Sequence, residues 1–416
     1  YFGGLPCPGG GQCTADAGGC IPLLLQGGGG QMLLKIELEK LCRKPALWTG
    51  FLLSLLAGLY LIRIMMPVVY TGEEELRGTA AVRYNRSITA EYEGYLTDRK
   101  AEEIIARYGF AKYNDDGGCV YGNYLNRFIT ENMTDYRYGE NRKNENRNSE
   151  NTNNENRNST VIYSLRDENS GFGRASYADR LYFSYAEGWE NLMEVLMGTA
   201  ILWGITMAVV LSPMYSCDRS LKTEPVIRSS AEGRRKMPFM RLLAGWIIAL
   251  GGFLLLGGFL FLLNGFIYGF EGLRANLLCA GAAPYLCPDS LTTGQFWASV
   301  YLPRAVLGVT VLVCMTAGIS AVCSWPLTSL CVSAILFVYP VISRMLVFKL
   351  GIISFSRMFA RLLTLPNEGL PLNLMIPSFD GGAGGGRIFP GIAGAALCLA
   401  GLWMLWHGWC WNGKKG

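Results

Sequence analysis

The sequence predicts an all-α integral membrane protein with about six transmembrane helices and a mixed, partly disordered extracytoplasmic segment between the first two. Charged residues make up 17% of the chain, but they are strongly segregated. A helix needs roughly 20 mainly apolar residues to cross a hydrocarbon core about 30 Å thick. With the single His407 taken as neutral, uncharged runs of this order cover 46–62, 195–217, 242–270, 305–343 and 388–413. Buried helices of a large soluble core are the alternative, and five such runs would be unusual there.

The first 31 residues differ in composition from the rest of the chain. They are rich in Gly and Cys and contain neither Lys nor Arg. We interpret 1–31 as a non-native or upstream-translated leader, with Met32 as the natural start. A secreted, cysteine-bridged domain is the alternative interpretation.

From Met32 onward, apolar residues recur at helical spacing among charged ones. Leu34, Leu38 and Leu41 fall at positions i, i+4 and i+7, a pattern typical of an amphipathic helix at the membrane surface. The sequence therefore predicts a cytoplasmic interfacial helix over 32–45, which leads into a first transmembrane helix over 46–67.

A long polar segment, 68–190, separates the first two spans and should lie outside the cytoplasm. Ala101, Ile104, Ile105 and Tyr108 have helical spacing behind Thr97 and Asp98, either of which is a suitable N-cap, so an amphipathic helix is expected. Residues 139–160 repeat the sequence Asn-Glu-Asn-Arg-Asn-Ser and offer almost no apolar surface to bury. We expect this low-complexity insert to be disordered.

The remaining region, 191–416, should contain five transmembrane helices. The run 305–343 is too long for one span and is interrupted at Ser324-Trp325-Pro326. Because proline removes a backbone donor and favours a turn, we expect two helices there. A second amphipathic helix is expected over 352–365. Cys279 and Cys287 share a loop, and a disulfide and two free thiols are equally compatible with the sequence.

Basic residues predict the orientation, because Lys and Arg in short loops are retained in the cytoplasm. Two segments are basic: the one before the first span and the loop between the second and third. We therefore expect a multi-pass protein of the inner (cytoplasmic) membrane with its N-terminus in the cytoplasm. The residues concerned are Lys35, Lys40, Arg43, Lys44, Arg219, Lys222, Arg228, Arg234, Arg235, Lys236 and Arg241.

Enzymatic motifs are missing from the sequence. It contains no His-Glu-x-x-His, no Gly-x-Ser-x-Gly and no Gly-x-x-x-x-Gly-Lys-[Ser/Thr] phosphate loop. We therefore expect no catalytic residues, no metal site and no cofactor in this chain, and any ATP hydrolysis must occur on a partner. A polytopic membrane enzyme is an alternative, but it should show clustered His, Asp or Glu at the end of a span.

The loop 216–241 carries the most informative pattern. Ser212-Pro213 follows the second span, and we expect the chain to turn at Pro213. Asp218-Arg219 comes next, and Ser230 with Gly233-Arg234 and Lys236 precede the third span. This pattern resembles the first cytoplasmic loop of bacterial ABC transporter permeases of the type-two (exporter) class. The resemblance implies that the loop couples to an ATPase through Asp218, Arg219, Ser230, Glu232, Gly233, Arg234, Arg235 and Lys236.

The resemblance also implies the partners and the activity. The chain would be a permease subunit that pairs with a second permease subunit, identical or different, and with ABC ATPase subunits that bind ATP. It would export a peptide, drug or lipid-like substrate and would contact lipid but no nucleic acid. The alternative is a membrane-anchored sensor or scaffold with a ligand-binding extracytoplasmic segment, whose basic loop meets only anionic lipid.

Overall fold

A computed structural model describes residues 28–71, 74–113, 119–134, 162–167, 181–281, 291–349, 364–376 and 388–411. Most of the described chain is helical. The helices are α1 (Gly28–Cys42), α2 (Pro45–Ile64), α3 (Thr79–Ala90), α4 (Asp98–Tyr108), α5 (Tyr124–Met133), α6 (Glu187–Leu211), α7 (Pro213–Ser220), α8 (Glu224–Ser229), α9 (Ala231–Arg235), α10 (Met237–Tyr268), α11 (Thr293–Gln295), α12 (Leu302–Val322), α13 (Pro326–Lys349), α14 (Pro371–Met375) and α15 (Ile388–Trp406). Phe296–Tyr301 and His407–Trp411 are π-helical, and Glu271–Leu273, Leu277–Ala280 and Leu365–Gly369 are 3₁₀ turns.

Six helical segments are long and apolar enough to cross a membrane. They confirm the predicted all-α membrane fold and the split of the run 305–343, since α12 ends at Val322 and α13 begins at Pro326. The protein is therefore a multi-pass membrane protein. The spans, numbered first to sixth, are Pro45–Ile64, Glu187–Ser220, Met237–Tyr268, Thr293–Val322, Pro326–Val347 and Phe389–Trp409.

The second and fourth spans form the centre of the bundle. Their most apolar stretches are 61% and 78% buried, against 22–28% for the other four spans. Large side chains pack the second span against its neighbours: Trp203 is buried and donates its indole N–H to the Ala249 carbonyl of the third span at 2.9 Å. Phe337, also fully buried, occupies the place that a side chain at Gly204 would need. The outer spans present their exposed apolar side chains to lipid, as a membrane bundle requires.

The region between the first two spans folds against one end of the bundle. It contains α3, α4 and α5 and three antiparallel strand pairs: β1 (Val68–Tyr70) with β2 (Glu75–Arg77), β3 (Gly94–Tyr95) with β6 (Tyr182–Phe183), and β4 (Lys112–Tyr113) with β5 (Cys119–Tyr121). The helix expected near residues 96–110 is α4. Its N-cap is Thr97, whose hydroxyl accepts from the Lys100 backbone N–H. The insert 139–160 lies outside the described residues.

A buried ionic cluster attaches this region to the start of the second span. Glu187 is 5% exposed and accepts hydrogen bonds from Asn85 Nδ2 (3.1 Å) and the Tyr185 hydroxyl (3.0 Å). Arg127 lies 3.2 Å from Glu187 and 3.6 Å from Glu190. Burial opposes the guanidinium charge, but the carboxylates outweigh it and hold the pKa of Arg127 above its ordinary value. We call the end of the bundle that carries this cluster the inter-span end.

Other predictions concern segments that the structure describes in part. The helix α1 begins at Gly28, ahead of the expected start at Met32, and packs along α10, with Leu41 buried. Residues 1–27 and most of the amphipathic helix expected over 352–365 lie outside the described residues. Cys279 is a buried free thiol, and Cys287, its possible disulfide partner, is also outside them.

Candidate functional site

The loop between the second and third spans lies at the opposite end of the bundle, which we call the loop end. We expected the chain to turn at Pro213, and this detail is wrong. The backbone at Ser212 remains helical (φ −56°, ψ −36°), and Pro213 starts α7. Proline is tolerated in the first turn of a helix because the missing N–H needs no partner there. The second span therefore continues as one helical segment to Ser220.

The chain turns at Lys222 instead. This residue has a left-handed conformation, with φ of 56°. The Thr223 N–H then donates to the Asp218 carbonyl at 2.9 Å, and the Lys222 N–H donates to the Arg219 carbonyl at 3.1 Å. These two bonds form a Schellman motif, which satisfies carbonyls that a helix end leaves without partners. The short helices α8 and α9 follow and return the chain to α10.

Arg241 connects three elements at the loop end. It is 6% exposed although it belongs to the third span. Its guanidinium donates to the Asp218 carboxylate on α7 and to the Met214 carbonyl at 3.1 Å. Its Nε lies 3.5 Å from Glu37 Oε1 on α1. Because a charge buried in this way needs partners, the ionic group fixes the positions of α1, α7 and α10 relative to one another.

Lys44, which lies between α1 and the first span, adds a further polar contact with the second span. Its ammonium donates to the Val210 carbonyl at 2.8 Å, just before the chain enters the first span. Burial lowers the pKa of Lys44, although the neighbouring Cys217 and Glu37 oppose the shift. The N-terminal segment is therefore attached to the spans at two points, through Glu37 and through Lys44.

A second ionic group connects the loop to the last span. Arg219 donates to Glu224 (3.0 Å), to the Val322 carbonyl (2.8 Å) and to the Gly408 carbonyl (3.1 Å). Arg228 donates to the Gly408 carbonyl (2.9 Å) and lies over the Trp409 ring, 5.0 Å from its centroid. Cationic groups at the carbonyl ends of helices are favoured by the helix dipole and satisfy carbonyls that lack helical partners.

Two residues of the predicted coupling set, Ser230 and Gly233, shape the joint between α8 and α9. The Ser230 hydroxyl accepts from the Gly233 N–H (3.0 Å) and donates to the Ile227 carbonyl (3.1 Å). A Cβ at Gly233 would lie 2.0 Å from that carbonyl oxygen, and the Gly233 carbonyl accepts from Trp409 Nε1 at 3.4 Å. Only glycine fits in this position.

The residues of the predicted set differ in where the structure places them. Asp218 and Arg219 are held by contacts within the chain, as are Ser230 and Gly233. Arg234 and Arg235 are exposed and Lys236 is half-buried, whereas the side chain of Glu232 lies outside the described residues. Basic charge accessible to a partner therefore concentrates at the C-terminal end of α9.

Sequence reasoning missed two exposed apolar residues in the same loop. Leu221 is 66% exposed and Val226 is 74% exposed. Neither follows a hydrophobic periodicity, so no sequence signal marked them. It also missed Glu37 and Arg241 as partners. The sequence did contain a signal for each residue. Glu37 shares a helix face with Leu34 and Leu41, and Arg241 is a charged residue at the start of an apolar helix.

The exposed side chains at the loop end include both apolar and basic groups. Across the described ranges, no group of three or more His, Cys, Asp or Glu side chains is arranged to hold a metal ion. Leu221, Val226, Arg234 and Arg235 are the exposed apolar and basic side chains of this loop that we together call the loop surface. Such a surface suits an acidic protein partner with an apolar recess.

Comparison with models of protein families, with curated proteins and with solved structures gives no match.

Proposed function

We propose that this chain is the membrane-spanning permease subunit of an ATP-driven ABC transporter of the type-two class, exporting a peptide, drug or lipid-like substrate. It resides in the inner (cytoplasmic) membrane with the loop end in the cytoplasm. A second permease subunit, identical or different, completes the pathway. ATP binds to separate ABC ATPase subunits, in keeping with the missing phosphate loop.

One observation carries the proposal: the loop surface is exposed, and Asp218, Arg219 and Arg228 of the same loop bond it to the spans. Arg241 connects it to α1 and the third span, and Arg219 connects it to the last span. The second span enters the loop as a continuous helix. A force applied at Arg234 and Arg235 is therefore transmitted to the second, third, fourth and sixth spans. A coupling element requires this combination of an accessible face and stiff connections.

The same connections suggest how ATP use moves the spans. When the ATPase subunits close around ATP, they displace the loop surface and, through Asp218 and Arg241, the inner ends of the second and third spans. Interfaces between packed helices switch between discrete arrangements rather than deforming continuously. A displacement at the loop surface thus changes which side of the membrane the pathway faces.

The decisive experiment measures ATPase association. The chain is co-expressed and co-purified with ABC ATPases from the same genome, as wild type and as two double variants, R234E/R235E and L221D/V226D. We expect at least about tenfold less bound ATPase in each variant, because charge reversal and loss of apolar contact each cost on the order of 1–2 kcal/mol. Arg99→Glu, an exposed reversal at the inter-span end, is the matched control.

The two outcomes are distinct. Loss of ATPase in both loop variants, with full retention in Arg99→Glu, supports coupling through the loop surface. Unchanged association in both loop variants, with intact monodisperse protein, rejects it. These residues are chosen in preference to Gly233, because replacing Gly233 would disturb the fold itself.

The alternative function, a sensor with a ligand-binding inter-span region, receives less support. The polar cavity described in that region is lined by Arg127, Glu131, Glu190 and Cys279, and its volume is about 50 Å³. A space of this size holds a water molecule or two, and small-molecule sites are typically about 300 Å³ or larger.

A further inference from the structure

A second feature, remote from the loop end, is an apolar cavity in the wall of the bundle. It lies between the second span, the third span and the start of the fourth, and its volume is about 300 Å³. Leu196, Phe253, Phe261, Leu273, Trp297 and Tyr301 are among its lining residues. A volume of this size reaches the lower limit of typical ligand sites.

Two local features of the sequence keep the cavity open. Gly257 and Gly258 lie on its α10 side, where a Cβ at Gly258 would meet nothing within 4 Å and one at Gly257 only Leu196, at 3.9 Å. On the opposite side, Phe296–Tyr301 is π-helical and precedes Pro303. Proline disrupts the preceding helical turn, and π-helical segments often occur at functional sites.

Trp297 contributes a polar group to the lining of the cavity. The residue is 6% exposed, and its indole Nε1 is buried without a hydrogen-bond partner among the described residues. The Tyr301 hydroxyl, by contrast, already donates to the Met375 carbonyl at 3.2 Å. A buried donor without an acceptor is unfavourable, so an occupant that brings an acceptor oxygen to this position would be stabilised.

The surroundings indicate the source of the occupant. Leu254 and Leu302 line the cavity and are each 43% exposed, so the cavity opens onto the apolar surface that faces lipid. Trp297 lies about one turn inside the fourth span, which begins at Thr293. Tryptophan at this depth meets the interfacial level of a bilayer, where the acyl chains are joined to their headgroups.

We propose that the cavity binds one acyl chain of a membrane phospholipid, with the ester carbonyl accepting a hydrogen bond from Trp297 Nε1. The apolar lining takes the chain, and the single donor selects an acyl ester over an alkyl ether. The site is independent of the loop surface and does not depend on whether the chain works with an ATPase.

The test uses the purified full-length protein in nanodiscs that contain a phosphatidylcholine with a photoactivatable diazirine on one acyl chain. Crosslinked peptides are identified by mass spectrometry. We expect crosslinks within 253–261 and 294–302. We also expect the ester lipid to label these peptides roughly fivefold more than its ether analogue, the preference expected from one hydrogen bond.

Two variants and a matched control make the result decisive. Gly258→Leu should fill the cavity and reduce this labelling at least about fivefold. Gly251→Leu, two turns away on the same helix face and outside the lining, should leave it unchanged, since a Cβ at Gly251 also meets nothing within 4 Å. Trp297→Phe should abolish the preference for the ester.

Three results would overturn the proposal. One is labelling spread along all lipid-facing spans with no concentration at the cavity. Another is equal labelling in Gly258→Leu and Gly251→Leu. The third is an ester preference that persists in Trp297→Phe, which would place the carbonyl elsewhere.

Discussion

Arg241 is located one turn inside the third span, with its guanidinium bonded to Asp218 and close to Glu37. Methionine has similar length without the charge, so Arg241→Met would leave the buried Glu37 carboxylate and the half-buried Asp218 carboxylate without this cationic partner. We expect a loss of about 3 kcal/mol in the free energy of unfolding, the range found when one partner of a buried ion pair is removed. Thermal unfolding in detergent, followed by tryptophan fluorescence, measures the effect.

The control for this prediction is Arg235→Met, a change of the same chemistry at an exposed position of α9. Exposed substitutions usually change stability by less than about 0.5 kcal/mol. Equal unfolding midpoints for Arg241→Met and Arg235→Met would show that the contacts of Arg241 contribute little to stability.

Cys279 is a buried cysteine at the inter-span end whose reactivity can be predicted. The side chain is 2% exposed, and burial raises the pKa of its thiol to about 12 from an ordinary 9.0. Because a raised thiol pKa favours the protonated form, the stability it contributes is complete below pH 9 and is lost as the pH rises toward 12. The thiolate is the reactive species, so at pH 8 the native thiol should be nearly inert.

Alkylation by N-ethylmaleimide with peptide mass spectrometry measures this directly. Native Cys279 should react at least about a hundredfold more slowly than Cys42, which is exposed. In denaturant the two should react at comparable rates, which serves as the control. Rapid labelling of Cys279 in the native protein would contradict its buried position.

At the level of the helices, the fourth and sixth spans approach each other closely at a glycine repeat. Gly394, Gly401 and Gly408 are spaced by seven residues and are all buried. A Cβ at Gly401 would lie 2.5 Å from the Cys314 carbonyl oxygen, and one at Gly408 would lie 2.6 Å from that of Ala321. Small residues allow this approach of backbones, from which membrane helices gain van der Waals contact.

Gly401→Ala should therefore separate the two helices and destabilise the protein by about 1–3 kcal/mol, the usual effect of overpacking. The clash is with backbone, which cannot rotate aside. Gly391→Ala, on the same helix, is the matched control because a Cβ there meets nothing within 4 Å. Unfolding midpoints and monodispersity in detergent provide the readout, and equal values for the two variants would refute the close contact.

Some of these elements were predictable from the sequence for clear physical reasons. Length and absence of charge define a span, and the break before Pro326 and the cap at Thr97 follow from local backbone chemistry. Pro213 misled us because proline both ends helices and starts them, and only the conformation of Ser212 decides between the two.

The candidate site was predictable only in part. Short-range motifs mark Ser230 and Gly233, but their role in the α8–α9 joint depends on the Ile227 carbonyl and on Trp409, which is distant in sequence. Glu37 on α1 and Arg241 on α10 are far apart in the sequence. A single sequence carries no signal for a contact between such distant residues. Exposure of Leu221 and Val226 likewise requires the folded structure.

At the scale of the whole molecule, the two ends differ in their charge. The loop end gathers the N-terminal segment, the basic loop, the 323–325 break and the end of the last span, as shown by the bonds of Arg219 to Val322 and Gly408. The inter-span end carries charges of both signs, including the pairs Arg99–Glu103 and Arg107–Glu91. The basic end is the one that the positive-inside rule assigns to the cytoplasm.

This assignment predicts which end an impermeant reagent reaches. With Arg235→Cys at the loop end and Glu103→Cys at the inter-span end, both exposed positions, a membrane-impermeant maleimide is added to spheroplasts and the modified peptides are identified. Glu103→Cys should label in intact spheroplasts, and Arg235→Cys only after permeabilisation, because the bilayer separates the two ends. The reverse pattern would place the loop surface outside and exclude a cytoplasmic ATPase as its partner.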